Sequence, residues 1–154
     1  MDLSTILIIG TVAGLIYWIT LQNASANVPS NGFTPTPSVF GILDPVAIAA
    51  YASAAGFAGQ DLTTAVALAL AESGGDPNII GHLGIGNDYG LWQINDHFHP
   101  EFGPNFSALL DPQTNANAAF AIYSAAGSTF QPWVTFTQGI YARYVPQVQA
   151  MLGA

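Results

Sequence analysis

The chain contains no lysine, and Arg143 is its one permanently cationic side chain. Nucleic-acid binding rests on a basic footprint that neutralises phosphates, so DNA and RNA are poor partners for this sequence. The same absence removes any electrostatic pull toward anionic lipid, and a membrane contact has to be hydrophobic. Cysteine is missing too. That excludes a disulfide framework, thiolate zinc sites and cysteine nucleophiles. Charge of either sign is scarce, at 6% of residues, against roughly 25% in an average soluble domain. Nine acids and one base leave a formal net charge of −8, and only Glu72 and Glu101 among those acids are glutamates. What remains is apolar: 51% of 154 residues, enough for one cored domain with accessory segments.

The accessory segments come first. Residues 3–21 run for 19 positions without a charge and carry Tyr17 and Trp18 near one end. About 20 apolar residues span a bilayer as a helix, and aromatic residues favour its interfaces. The rival reading is a cleaved signal peptide, for which Ala24-Ser25-Ala26 would be the cleavage site. Met1-Asp2 lacks the basic n-region of such a peptide. The expectation is a single-pass transmembrane anchor over residues 1–22, with lipid bilayer around 3–21. Its orientation is unreadable, since the positive-inside rule finds no Lys or Arg nearby. Residues 23–43 are rich in Pro, Ser, Asn and Thr, with Thr34-Pro35-Thr36-Pro37 the stiffest part. They read as a semi-extended tether reaching at most about 70 Å.

A domain over 44–154 follows. Asp44-Pro45 is a helix start, with Asp at the N-cap and Pro at the first helical position. That helix should stop at Gly56. Asp61 is expected to cap the next helix, which is apolar all round from Ala65 to Ala71 and therefore buried, and which ends at Gly74-Gly75. Residues 76–106 are irregular, with a small strand element between 80 and 95 and Gly90 to Asn95 extended. Asp111-Pro112 starts a third helix, to Ala125. A last helix is expected from Gln138 to Leu152, bent or restarted at Pro146. The class is mainly α: four or five helices around one buried helix.

Glu72 stands in the last turn of that buried helix. Apolar neighbours, the negative end of the helix dipole and nearby Asp76 all push its pKa upward. A carboxyl kept protonated near neutral pH can give a proton to a leaving group. A buried Glu that only hydrogen-bonds the next loop is the plain alternative, and Arg143 is the one available cationic partner. After it come Tyr89, Trp92, Phe98, Phe102 and Trp133, interleaved with the amides of Asn87, Gln93 and Asn95. Aromatic faces mixed with amides suit sugars, whose faces are apolar and whose edges carry hydroxyls and N-acetyl groups. Each aromatic taken singly reads better as loop core.

Ala71-Glu72-Ser73-Gly74-Gly75 resembles the catalytic Glu-Ser motif of soluble lytic transglycosylases and goose-type lysozymes. Gly90-Leu91-Trp92-Gln93-Ile94 resembles their Gly-Leu-Met-Gln-Ile motif, and Leu110 to Phe120 resembles their third helix. Order and spacing agree over about residues 44–150, and the pattern is similar to compact lysozyme-like domains of phages and actinobacterial cell-wall enzymes. The resemblance implies a lysozyme-like α fold, a peptidoglycan substrate, no cofactor, and Glu72 as acid and base. It implies a sugar-holding set of Ser73, Tyr89, Gly90, Leu91, Trp92, Gln93 and Asn95, with Tyr141 standing where the family has a cleft tyrosine. The Tyr-Asn-Ala-Gly motif of many transglycosylases is absent; Thr137 to Tyr141 stands in its place. Asp88 and Asp96 flank the Gly-Leu-Trp-Gln-Ile stretch and are the candidates for a second carboxylate.

His97, His99 and Glu101 alternate, but three ligands at spacing two require an extended strand, and no metal is expected. A protease has no support: there is no His-Glu-x-x-His, no Cys and no Gly-x-Ser-x-Gly. The leading expectation is a membrane-anchored lytic transglycosylase of a virion membrane or a bacterial cell envelope, with other virion proteins as candidate partners. A lysozyme-type hydrolase is the first alternative. A non-catalytic, membrane-anchored peptidoglycan-binding protein is the second.

Overall fold

The computed structural model describes residues 7–8, 18–19, 41–82 and 84–153. The chain divides into two compact units, Met1–Phe33 and Thr34–Ala154. In the first, β1 (Leu7–Ile8) pairs antiparallel with β2 (Trp18–Ile19), Leu7 opposite Ile19 and Ile8 opposite Trp18. These four residues are extended where a membrane helix was expected. A short apolar run rich in β-branched residues has no periodicity to separate the two forms. The rest of the anchor segment 1–22 lies outside the described residues, as does the tether up to residue 40. Among the described residues no helix is long and apolar enough to cross a membrane.

The second unit is mainly helical. In α1 (Pro45–Ala55), Asp44 is the N-cap, and its Oδ1 accepts the Ala47 N–H at 2.8 Å. In α3 (Pro112–Ala125), Asp111 repeats the device, its Oδ1 accepting the Thr114 N–H at 2.8 Å. Both caps satisfy an amide that the first helical turn leaves unpaired. Between them lies α2 (Gly59–Ser73), whose residues 65–69 are completely buried. It packs against α1 and against the elements near the C-terminus. Asp61 does not cap it. The helix begins two residues earlier, behind Ala58, and Asp61 instead accepts the Tyr123 hydroxyl at 2.7 Å. Gly74 ends it in the left-handed region, at φ 65°, where a residue without Cβ carries no steric penalty.

The irregular stretch contains a three-stranded antiparallel sheet in the order β3 (Ile80–Gly81), β4 (Asp88–Tyr89), β5 (Ile94–Asn95). Ile80 faces Tyr89 and Asp88 faces Asn95. Gly90 to Gln93 is a turn between β4 and β5, not a strand, because Gly90 and Gln93 both take positive φ, 71° and 47°. The C-terminal helix is also broken. It divides into α4 (Val134–Thr137), a 3₁₀ turn at Ile140–Arg143, and α5 (Val145–Leu152). Gly139 interrupts it at φ 70°, and Pro146 sits in the first turn of α5, where its missing N–H loses no helical bond. A cluster of Phe57, Phe120, Tyr123 and Phe130 closes the core beneath α1 and α3, with ring centroids 4.7–6.0 Å apart.

Candidate active site

A cleft of about 500 Å³ opens between the end of α2, the small sheet and the start of α4. Glu72 reaches it from the last turn of α2, half-buried. Burial raises its pKa above the ordinary glutamate range. The Thr135 hydroxyl, donating to Oε1 of Glu72, works against that shift, and the charge of Asp88 adds to it. Among the described residues no cation compensates. Arg143 is exposed, with its guanidinium carbon 5.3 Å from the Tyr144 ring centroid. The one base–carboxylate contact among the described residues joins His99 Nδ1 to Glu101 Oε1 at 3.0 Å. The site therefore holds a carboxyl biased toward its protonated form beside an acidic neighbour, an arrangement suited to proton donation.

The turn after β4 is fastened from the core side. Asn115 of α3, with no exposed surface, donates from Nδ2 to the Tyr89 carbonyl at 2.9 Å and accepts the Trp92 N–H on Oδ1 at 2.8 Å. Gly90 is required there. A Cβ at that position would lie 2.7 Å from Asn115 Nδ2, and its φ of 71° strains any side-chain-bearing residue. Leu91 and Trp92 then enter the core, both with no exposed surface. The Trp92 indole N–H donates to the Ala65 carbonyl of α2 at 3.0 Å. Gln93 comes back out to line the cleft, with Nε2 donating to the Gly90 carbonyl at 2.8 Å and to the Ile79 carbonyl at 3.3 Å. Its left-handed backbone stores about 1–2 kcal/mol, which the two amide bonds help to offset.

Of the residues expected at the site, Glu72, Gln93, Asn95 and Asp88 line this cleft. Asn95 is spoken for: Nδ2 donates to Asp88 Oδ1 at 2.9 Å and to the Ile85 carbonyl at 3.0 Å, while Oδ1 accepts the His97 N–H at 2.9 Å. Ser73, Tyr89, Gly90, Leu91, Trp92, Tyr141 and Asp96 stand outside the lining. Ser73 is buried and closes the helix end, donating to the Ala69 carbonyl at 2.9 Å and accepting the Gly75 N–H at 3.2 Å. Tyr89 stacks on Phe106 and donates its hydroxyl to Asp96 at 3.3 Å. Tyr141 stacks on Phe136 with centroids 4.8 Å apart. Asp96 also accepts the Asn87 backbone N–H at 2.9 Å. That bond is the first cause holding its carboxyl below the usual range, and it makes Asp96 an organiser of the loop. Among the described residues no cluster of His, Asp and Glu has the shape of a metal site.

Sequence reading missed Thr135, which lies 63 residues from Glu72 and arrives on α4. Its neighbour Trp133 reads from the sequence as an aromatic face. It proves to line the cleft while its indole N–H donates to the Trp92 carbonyl at 2.9 Å. Phe98, exposed and one of the aromatic faces expected there, also lines the cleft, as does exposed Val134, whereas Phe102 stands outside the lining. No curated protein and no solved structure gives a match to this chain. The family model described as a lysozyme-like domain matches residues 49–135, a span that takes in Glu72, the fastened turn and Thr135. With more than half of its length matched and a mainly helical domain built around a central buried helix, the chain belongs to the lysozyme-like domain family.

Proposed function

We propose that this protein is a lytic transglycosylase that cuts the β-1,4 bond between the muramic sugar and N-acetylglucosamine in peptidoglycan glycan strands. Family membership supports a peptidoglycan-acting, glycosidase-type enzyme in general. The finer reading rests on one observation: Glu72, with its pKa raised by burial, faces the cleft, while the second carboxyl there, Asp88, already accepts the Asn95 amide. In the first half-reaction the Glu72 carboxyl gives its proton to the glycosidic oxygen. The C1–O bond breaks with its electron pair on that oxygen, and the substrate's own N-acetyl carbonyl oxygen bonds to C1. In the second, the Glu72 carboxylate takes the proton of the 6-hydroxyl, and O6 bonds to C1 as the N-acetyl oxygen leaves. The acid is regenerated, no water is consumed, and the product is a 1,6-anhydro sugar.

A second reading has a specific support. Glycosidases that use water place two carboxyl groups about the scissile bond, and Asp88 shares the cleft with Glu72. Asp88 would then be the base that activates water. Its Oδ1 already accepts the Asn95 amide at 2.9 Å, which favours the first reading. Mass spectrometry of digested peptidoglycan separates the two, since hydrolysis leaves fragments one water heavier. Predominantly hydrated ends, lost in Asp88→Asn, would replace the proposal with a lysozyme. In either case Glu72→Gln, nearly isosteric, should lose about 10²–10⁴-fold in rate, and near wild-type clearing by the folded variant would refute the acid assignment. In this reading the uncharged run 3–21 anchors the enzyme in a virion membrane or bacterial envelope, and the tether carries the domain toward the glycan.

A further inference from the structure

We infer that Thr135 is the positioning residue of the proton donor: its hydroxyl holds Glu72 by Oε1, so that the proton delivered to the glycan sits on Oε2. The inference rests on the reading of Glu72 as the acid. Thr135 Oγ1 donates to Oε1, and among the described residues Oε2 has no hydrogen-bond partner. No buried side-chain polar atom among the described residues is left unpartnered, so Oε2 is reached by solvent, in the cleft that Glu72 lines. A glutamate side chain has three rotatable bonds and can present either oxygen. A hydroxyl that bonds one of them selects the other for chemistry.

The segment carrying Thr135 is tied to the helix carrying Glu72. Trp133 donates to the Trp92 carbonyl at 2.9 Å, and Trp92 donates to the Ala65 carbonyl of α2 at 3.0 Å. Two buried tryptophans thus hold acid and hydroxyl in register. The bond also serves both half-reactions. It fixes the acid's orientation, and it stabilises the carboxylate that must next act as base, since a hydroxyl donor favours the charged form. The titratable groups that share the cleft are Asp88, from β4, and His99, whose Nδ1 faces Glu101 at 3.0 Å. Neither occupies Oε1.

The test is the pH dependence of kcat and KM for the full chain in detergent, on peptidoglycan, with Thr135→Val, Thr135→Ser and Glu72→Gln beside wild type. Thr135→Val is isosteric and lacks the hydroxyl. It should lower kcat about tenfold with KM within about twofold, and move the alkaline limb of the profile up by about one pH unit. Thr135→Ser should restore both, which a packing role would not require. Should Thr135→Val fail to fold, Thr135→Ala carries the same expectation. A Val or Ala profile that superimposes on wild type, or a Ser variant that behaves like Val, overturns the inference. If Glu72→Gln is inactive while Thr135→Val is normal, only the positioning role fails. If Glu72→Gln is fully active, the acid assignment fails with it.

Discussion

Asn115→Ala is the substitution that most directly tests how the cleft is built. Asn115 is fully buried on α3 and makes two bonds, to the Tyr89 carbonyl and from the Trp92 N–H. Truncation leaves the buried Trp92 N–H and the part-buried Tyr89 C=O without their partner. Each unsatisfied group costs about 1–3 kcal/mol, so the expected loss is roughly 2–6 kcal/mol. Whole domains are stable by only about 5–15 kcal/mol, and a fold between the 100- and 150-residue sizes shifts by about 4 °C per kcal/mol. The melting temperature should therefore fall by on the order of 10–25 °C, read by circular dichroism, with the variant still folded at room temperature. Activity on peptidoglycan should fall as well, because the released turn carries Gln93. Asn115→Asp checks the sign. It keeps an acceptor for Trp92 but buries a charge, so its folded-state pKa should be raised. Its stability relative to wild type should be best below the unfolded carboxylate pKa of about 3.9. It should worsen as pH climbs toward the folded value. A melting point for Asn115→Ala within a few degrees of wild type would refute the account of the turn.

Glu72 gives a second pH test. Its folded pKa is raised, first by burial, so its stabilising contribution is full below the unfolded value of about 4.3 and is lost as pH rises through the folded one. Glu72→Gln has no such loss, and its melting point should move above that of wild type as pH rises past that range; a gap independent of pH would contradict the burial argument. With a net charge of −8 and no lysine, the enzyme should be repelled by the stem-peptide carboxylates of the wall. Its kcat/KM should rise between about 10 and 150 mM salt as the screening length falls from about 30 to 8 Å, and a falling salt profile would be the opposite of what this charge allows. A chain starting at Gly41 should be soluble and active while the full chain requires detergent; a full-length protein that sediments as a soluble monomer would remove the anchor.

Much of this molecule is legible in local chemistry. Asp44-Pro45 and Asp111-Pro112 announce α1 and α3 because the capping bond spans only three residues. Gly74 announces the end of α2 because its left-handed backbone excludes a side chain at low cost. The unbroken apolar run 65–71 requires burial on every face, and a lone Glu at its end is conspicuous in a chain with two glutamates. From those residues alone follow a central buried helix and a carboxyl at its exit, pushed toward protonation.

Other features depend on packing and carry no local mark. Asp61 looks like a cap, yet its oxygen goes to Tyr123, 62 residues away. Gly-Leu-Trp-Gln-Ile reads as a strand, and it is Asn115, from another helix, that bends it into a turn. Asp88 and Asp96 flank that stretch alike in sequence. Only the pairing of β4 with β5 turns Asp88 into the cleft and Asp96 toward Asn87 and Tyr89. Thr135 is one hydroxyl among many until two tryptophans bring α4 against the end of α2. The sequence by itself determined which carboxyl would be pushed toward protonation, because burial of the helix that carries it follows from that helix's own composition. The tertiary structure decided what that carboxyl touches, because contacts across 63 residues are set by how the helices pack and not by any residue's neighbours in the chain.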